Sequence, residues 1–227
     1  MNAAPVDAAR VLAVDDRLLE VYGPRTLEPS GDPLDELIQT ILSQNTSDVN
    51  SGRAYQSLRA RFPRWEDVLH APTSEVYEAI KAAGLGRIKA PRIQRTLWAV
   101  LERRGELSLD FLNDLPLPEA RRWLTDLEGI GPKTAACVLL FALGKPALPV
   151  DTHVHRVSRR LGLIGPKVSA EAAHDLLEPA LPPERVYAFH INMIRHGRLV
   201  CRAQRPECYA CPLSDLCAFY AGAAPES

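Results

Sequence analysis

Leu127-Glu128-Gly129-Ile130-Gly131-Pro132-Lys133-Thr134 joins two helical stretches through a Gly-Ile-Gly turn. Upstream, Ala120, Trp123, Leu124 and Leu127 share one helical face. Downstream, Pro132 to Leu143 is apolar almost all round and stops at Gly144, which predicts the most buried helix of the protein. Two glycines permit backbone conformations that other residues resist and let main-chain N–H groups approach an anion, while the following helix adds its positive end. A nucleic-acid phosphate could be held there by amides without any base being read. The plainer reading is a tight helix–helix turn with Ile130 plugging the core, and the two are compatible.

Outward from this hairpin, the pattern is helix after helix. Leu34, Leu37, Ile38, Ile41 and Leu42 define an amphipathic helix over Pro33–Ser43, capped by Asp32. Val76, Ile80 and Ala83 predict another that stops at Gly84. Ile93, Leu97, Val100 and Leu101 predict a third, opened by Pro91 and closed near Gly105. Val154, Val157 and Leu161 line one between Asp151 and Gly162, and two more begin near Ser169 and Pro183. No alternating strand and no fixed repeat is visible, so the expected class is all-α.

Composition sets the outer bounds. With 46% apolar residues, 24% charged and 19 prolines in 227 residues, the chain reads as a globular protein of one or two domains, not a disordered or fibrous one. The longest apolar run, Ala135 to Leu143, is about half of what a spanning helix needs, so no membrane segment is expected. The N-terminus lacks the basic start and apolar block of a secretory signal, which predicts a reducing cytoplasm. Net charge is −1, and by itself it points to no nucleic-acid partner. Basic residues nonetheless gather in three places: Arg87, Lys89, Arg92, Arg95, Arg103 and Arg104; Arg156, Arg159, Arg160 and Lys167; and Arg195, Arg198, Arg202 and Arg205. Each group alone reads as a solvated helix face, but three together favour an anionic partner.

Two residues near the hairpin suggest catalysis. Lys133 falls in the first turn of the apolar helix, where the helix dipole and desolvation both favour a neutral amine, the form a Schiff-base nucleophile requires. Pro149-Val150-Asp151-Thr152-His153-Val154 places Asp151 at the start of the next helix. It reads first as a plain N-cap, a role compatible with a carboxylate oriented to deprotonate a nucleophile or stabilise a cationic sugar. His153 and His155 read as structural or surface residues.

Four of the five cysteines, Cys201, Cys208, Cys211 and Cys217, are spaced C-x6-C-x2-C-x5-C. In a reducing compartment such a group holds either a tetrahedral zinc or an iron–sulfur cluster, and the spacing alone leaves both open. Cys137, inside the apolar helix, reads as a small core residue.

LEGIGPKTA, VDTHVHRV and the four-cysteine spacing, in this order, resemble the endonuclease III family of helix-hairpin-helix DNA glycosylases, over about Asp32 to Cys217. The resemblance implies two helical domains flanking a DNA-binding cleft. One is a six-helix barrel with the hairpin, over residues 28–146; the other, residues 1–27 with 147–227, is an iron–sulfur domain in which the four cysteines hold a [4Fe-4S] cluster. It implies a monomeric base-excision repair enzyme of the cytoplasm and nucleoid, acting on duplex DNA with damaged bases or abasic sites. Lys133 matches the family's nucleophile, Asp151 its aspartate, and Gly129, Ile130 and Gly131 its backbone-gripping hairpin. The implied activity is bifunctional: excision of an oxidised pyrimidine through a Lys133 Schiff base, then β-elimination. Leu85 matches a wedge residue, and Gln44 or Asn45 a polar residue that fills the vacated stack, although Leu85 also reads as core and Gln44 as a helix end. The sequence departs from the family at Gly86-Arg87-Ile88, where an aromatic is common, at Asn45, where Gln is expected, and at Pro132, where a polar or basic residue is usual. A thymine- or adenine-mismatch glycosylase of the same superfamily, or a non-catalytic iron–sulfur DNA-binding module, are the competing readings.

Overall fold

A computed structural model describes residues 6–222, and among them every regular element is helical. The chain divides into two compact units. One is continuous, Pro29–Lys145; the other combines the residues up to Glu28 with those from Pro146 onward. Among the described residues no helix is long and apolar enough to cross a membrane.

In the continuous unit, α2 (Pro33–Ser43) begins as the sequence indicates, with the Asp32 carboxylate accepting from Asp35 N–H at 2.9 Å and Pro33 in the first turn. Its stripe of Leu34, Leu37, Ile38, Ile41 and Leu42 is fully buried or nearly so. Around it come α3 (Asp48–Arg61), α4 (Trp65–His70), α5 (Thr73–Ile80), α6 (Gly86–Arg104), α7 (Leu117–Thr125) and α8 (Pro132–Cys137). The apolar helix is buried as expected, with Ala135 through Leu140 at 4% exposure or less. It is not one α-helix, however: after Cys137 it widens into a π-helical segment, Val138–Ala142. Sequence does not show this, because the apolar residues surround the helix and fix no period.

Pro91 does not open α6. The helix starts five residues earlier, from Leu85, whose carbonyl accepts from Ile88 N–H and Lys89 N–H at 2.9 and 3.0 Å. Pro91 lies inside, in the second turn, and having no N–H it cannot donate to the Arg87 carbonyl four residues back.

In the other unit, α1 (Ala8–Tyr22) buries Val11, Val14 and Leu18 on one face together with the carboxylate of Asp15, which meets Arg185 Nε at 2.5 Å. Burial pushes Asp15 up to about 6, against the pull of Arg185. The remaining helices are α9 (Thr152–Leu161), α10 (Ala170–Leu177), α11 (Val186–Leu199) and the short α12 (Ala218–Ala221). α11 packs on α9 and α1, with Phe189 and Met193 fully enclosed.

Candidate active site and cysteine cavity

The Gly-Ile-Gly turn has the geometry its sequence suggests. Leu127 and Ile130 donate to the carbonyls of Leu124 and Leu127 at 3.1 and 3.0 Å, closing the turn. Gly129 sits at φ +78°, a left-handed conformation, with Arg92 Nε 3.2 Å from where a Cβ would be. Ile130 is 4% exposed and plugs the core. Gly131 caps α8 in an extended conformation with no side-chain cap, and nothing lies within 4 Å of a Cβ built there. The first-turn amides of α8 therefore have no side-chain acceptor at the cap, and the approach to them is open.

Lys133 follows in that first turn and is half-buried, so the desolvation inferred from its apolar neighbours is only partial. Its charge acts on Glu36 of α2, whose carboxyl burial pushes up to about 7; the Thr40 hydroxyl, donating to Glu36 Oε1 at 3.2 Å, and Lys133 both oppose the rise. Glu36 lines an open pocket with Gln39, Thr40, Ser43 and Asp48. Glu36 escaped the sequence reading. It sits beside the buried stripe of α2, and its position one turn before Thr40 gives no signal without the partner helix.

The three candidates for contact with an opened DNA stack separate clearly. Gln44 is half-buried and committed: Arg92 Nη1 donates to its Oε1 at 2.8 Å and its Nε2 donates to Thr134 Oγ1 at 3.3 Å. Asn45 is exposed with φ +53°, and Leu85 is 53% exposed with φ +51°. Leu85 is thus not a core residue. The basic residues nearby are not all solvated. Lys89 is 3% exposed, and Arg92 is held against the hairpin and Gln44, so neither belongs to a free cationic face.

Asp151 caps α9, its Oδ1 accepting from Val154 N–H at 2.7 Å. The segment leading to it is fixed by side chains distant in sequence. Leu148 N–H donates to Glu178 Oε2 at 2.7 Å, and the Nδ1 atoms of His174 and His190 lie 2.9 and 2.8 Å from the carbonyls of Leu148 and Pro149. A carbonyl only accepts, so both imidazoles carry their proton on Nδ1 there. His153 and His155 are likewise engaged, with Arg156 at 3.1 Å and with the Val168 carbonyl at 2.8 Å.

Cys201, Cys208, Cys211 and Cys217 are free thiols that line one cavity, together with Arg160 and His196. Among the described residues no three His, Cys, Asp or Glu side chains gather tightly enough for a single metal ion. The sulfurs are nonetheless close enough to repel: burial first, then the charges of the other cysteines, push the Cys208 and Cys211 thiols up. Nitrogen groups point inward: the Arg160 guanidinium places Nη1 3.4 Å from Cys201 Sγ, and His196, whose imidazole burial holds down to about 4, places Nε2 3.7 Å from Cys211 Sγ. Four cysteines around one cavity make an all-sulfur donor set of the kind that holds either a zinc ion or an iron–sulfur cluster. Arginines buckle the loop: Arg10 Nη2 donates to Leu161 O and Leu216 O, Arg17 Nη1 to Pro212 O, and Arg160 to Arg202 O and Ala203 O, all at 2.7–3.0 Å. Arg156 likewise binds Cys201 O and Gly197 O. Arg156 and Arg160 therefore serve the loop's carbonyls, not the anionic partner their clustering suggested. Arg10 and Arg17 were missed because nothing local in sequence links them to residues some two hundred positions away.

Residues 38–183 match the profile of the HhH-GPD superfamily base excision DNA repair proteins. Endonuclease III of Thermotoga maritima is 35% identical over 189 residues, spanning 83% of this chain and 84% of that one; endonuclease III of Bacillus subtilis is 36% identical over 185 residues, 82% and 80%. A protein of Arabidopsis thaliana named provisionally as a DNA glycosylase is 37% identical over 73% of this chain, which spans only 57% of that relative's length. Among solved structures, a non-covalent endonuclease III–DNA complex superposes with a TM-score of 0.81 at 30% identity, covering 96% of this chain and 98% of that one; a trapped endonuclease III–DNA covalent intermediate gives 0.80, also at 30%, covering 96% and 99%. The chain belongs to the HhH-GPD superfamily of base excision DNA repair proteins, and within it to the endonuclease III family.

Proposed function

We propose that the protein is a bifunctional DNA glycosylase and abasic-site lyase that removes oxidised pyrimidines from duplex DNA. The observation that carries this reading is Lys133: an amine in the first turn of α8, directly after a hairpin whose Gly131 face is open, in a family with a DNA complex trapped covalently. The Lys133 amine attacks the sugar C1′, and the bond to the damaged base breaks with its electron pair leaving on the base. The C1′–O4′ bond then breaks, O4′ keeping the electron pair and taking a proton, which leaves an imine on Nζ; proton removal from C2′ then expels the 3′ phosphate and nicks the strand. Asp151 supplies the fixed carboxylate that favours the cationic sugar, its orientation set by the cap on Val154 and by the braced segment before it. The amides at the start of α8 suit a backbone phosphate. Asn45 and Leu85, exposed on left-handed backbone, suit entry into the stack once the nucleotide has left.

The four cysteines would hold the [4Fe-4S] cluster, which when bound cross-links the Cys201–Cys217 loop. The donor set, the shared cavity and the Arg160 guanidinium beside Cys201 support that assignment.

Borohydride reduction on abasic-site DNA tests the central claim. A covalent protein–DNA adduct is expected for the wild type and none for Lys133→Ala. An adduct that persists in Lys133→Ala, or DNA binding by the wild type with no adduct at all, refutes it.

A further inference from the structure

We infer that Lys89 is a positioning residue that locks the turn at residues 44–46 and the turn at residues 83–86 into one two-pronged element, so that Asn45 and Leu85 meet DNA as a pair. The inference rests on the glycosylase reading above. Lys89 is 3% exposed, and its Nζ donates to Leu42 O at 2.6 Å, Thr46 Oγ1 at 2.8 Å and Ala83 O at 3.0 Å. All three ammonium protons are thus taken, and every acceptor is neutral. Burying a cation among neutral acceptors is costly, and a methionine would fill the space without that cost. Burial, and then the neighbouring charge of Arg92, accordingly lower the Lys89 pKa.

What the ammonium accomplishes is visible in where its acceptors lie. Leu42 O and Thr46 bracket Asn45, and Ala83 O lies two residues before Leu85. The Thr46 hydroxyl, accepting from Lys89, itself bonds to Ala83 O, so one buried knot joins both turns from beneath. Above the knot, Asn45 and Leu85 hold left-handed backbone at φ +53° and +51°. Such conformations are strained for an L-residue, more for leucine than for asparagine, and persist where the surroundings over-determine them. Leu85 is exposed, as is Ile88 beside it. Lys89 thus sets the prongs before DNA arrives, and the ordering cost falls on folding instead of binding.

Two substrates separate positioning from general damage: one lesion base-paired in a duplex, and the same lesion in an unpaired bulge, where the stack is already open. For Lys89→Met, excision from the paired site should fall about tenfold or more, with bulge excision within about twofold of wild type. Thr46→Val should shift the same ratio, by less. Parallel loss on both substrates, or loss on neither, overturns the inference. A readout that needs no chemistry is the fluorescence of 2-aminopurine placed opposite an abasic site, which rises when the base unstacks. Wild type should raise it on binding, and Lys89→Met should bind without raising it; an equal rise in both overturns the inference. Wild type that binds and raises the signal but excises nothing leaves Lys89 assigned and defeats the glycosylase reading alone.

Discussion

Glu36→Gln isolates the cost of a carboxyl held beside Lys133. The folded protein raises this group from 4.5 to about 7, chiefly through burial. Below pH 4.5 it is protonated whether the chain is folded or not, and burial carries no charge penalty. Between 4.5 and about 7 the folded state keeps a proton that the unfolded state has released, so stability falls as pH rises. Above 7 the carboxylate is charged in both states and the whole penalty is present, about 3 kcal/mol for a rise of that size. Glutamine keeps the acceptor that Thr40 uses and never ionises. In urea unfolding of both proteins across pH 5 to 8, the variant should be more stable by about 2–3 kcal/mol at pH 8, the difference shrinking towards pH 5. Comparing the two proteins at each pH cancels every other titrating group. Replacing Lys133 by Ala removes a charge that opposes the rise, so Glu36→Gln in that background should gain more at pH 8. A difference that stays constant with pH, or a variant less stable than wild type at pH 8, would refute the reasoning.

Asp151→Asn keeps a side-chain oxygen for the α9 cap and removes the charge, so the melting temperature should hold within a few degrees while base excision falls about a hundredfold or more; undiminished excision defeats the assigned role. Anaerobically purified protein should hold about four irons and four sulfides per chain, and Cys211→Ser should lose most of both; one zinc per chain instead would reverse the cofactor assignment.

How far the sequence foretold this molecule depended on range. α2 was legible because its cap, its proline and its stripe from Leu34 to Leu42 lie side by side. α3 was not, since its buried face is Ser51, Ala54 and Leu58, too small and polar to show a period. α1 carried a readable face in Val11, Val14 and Leu18, interrupted by Asp15, whose burial depends on Arg185 far along the chain. Lys133 and Asp151 stood out through the motifs around them, and the cysteines through spacing alone. Lys89 looked like one more cation on a basic helix. Only the folded chain shows it underneath the turns at Asn45 and Leu85, because its three acceptors come from two other segments.

The discontinuity of the unit that contains α1 bears on how the chain is made. The segment from Pro29 to Lys145 is contiguous and can condense as soon as it leaves the ribosome. α1 emerges before that segment yet must wait, because the carbonyls that Arg10 and Arg17 grasp, Leu216 and Pro212, lie beyond it in the chain. The cysteine loop therefore closes only after the hairpin unit has been made, and a ribosome that stalls after α10 releases a chain whose hairpin is finished while α1 still lacks the loop it fastens.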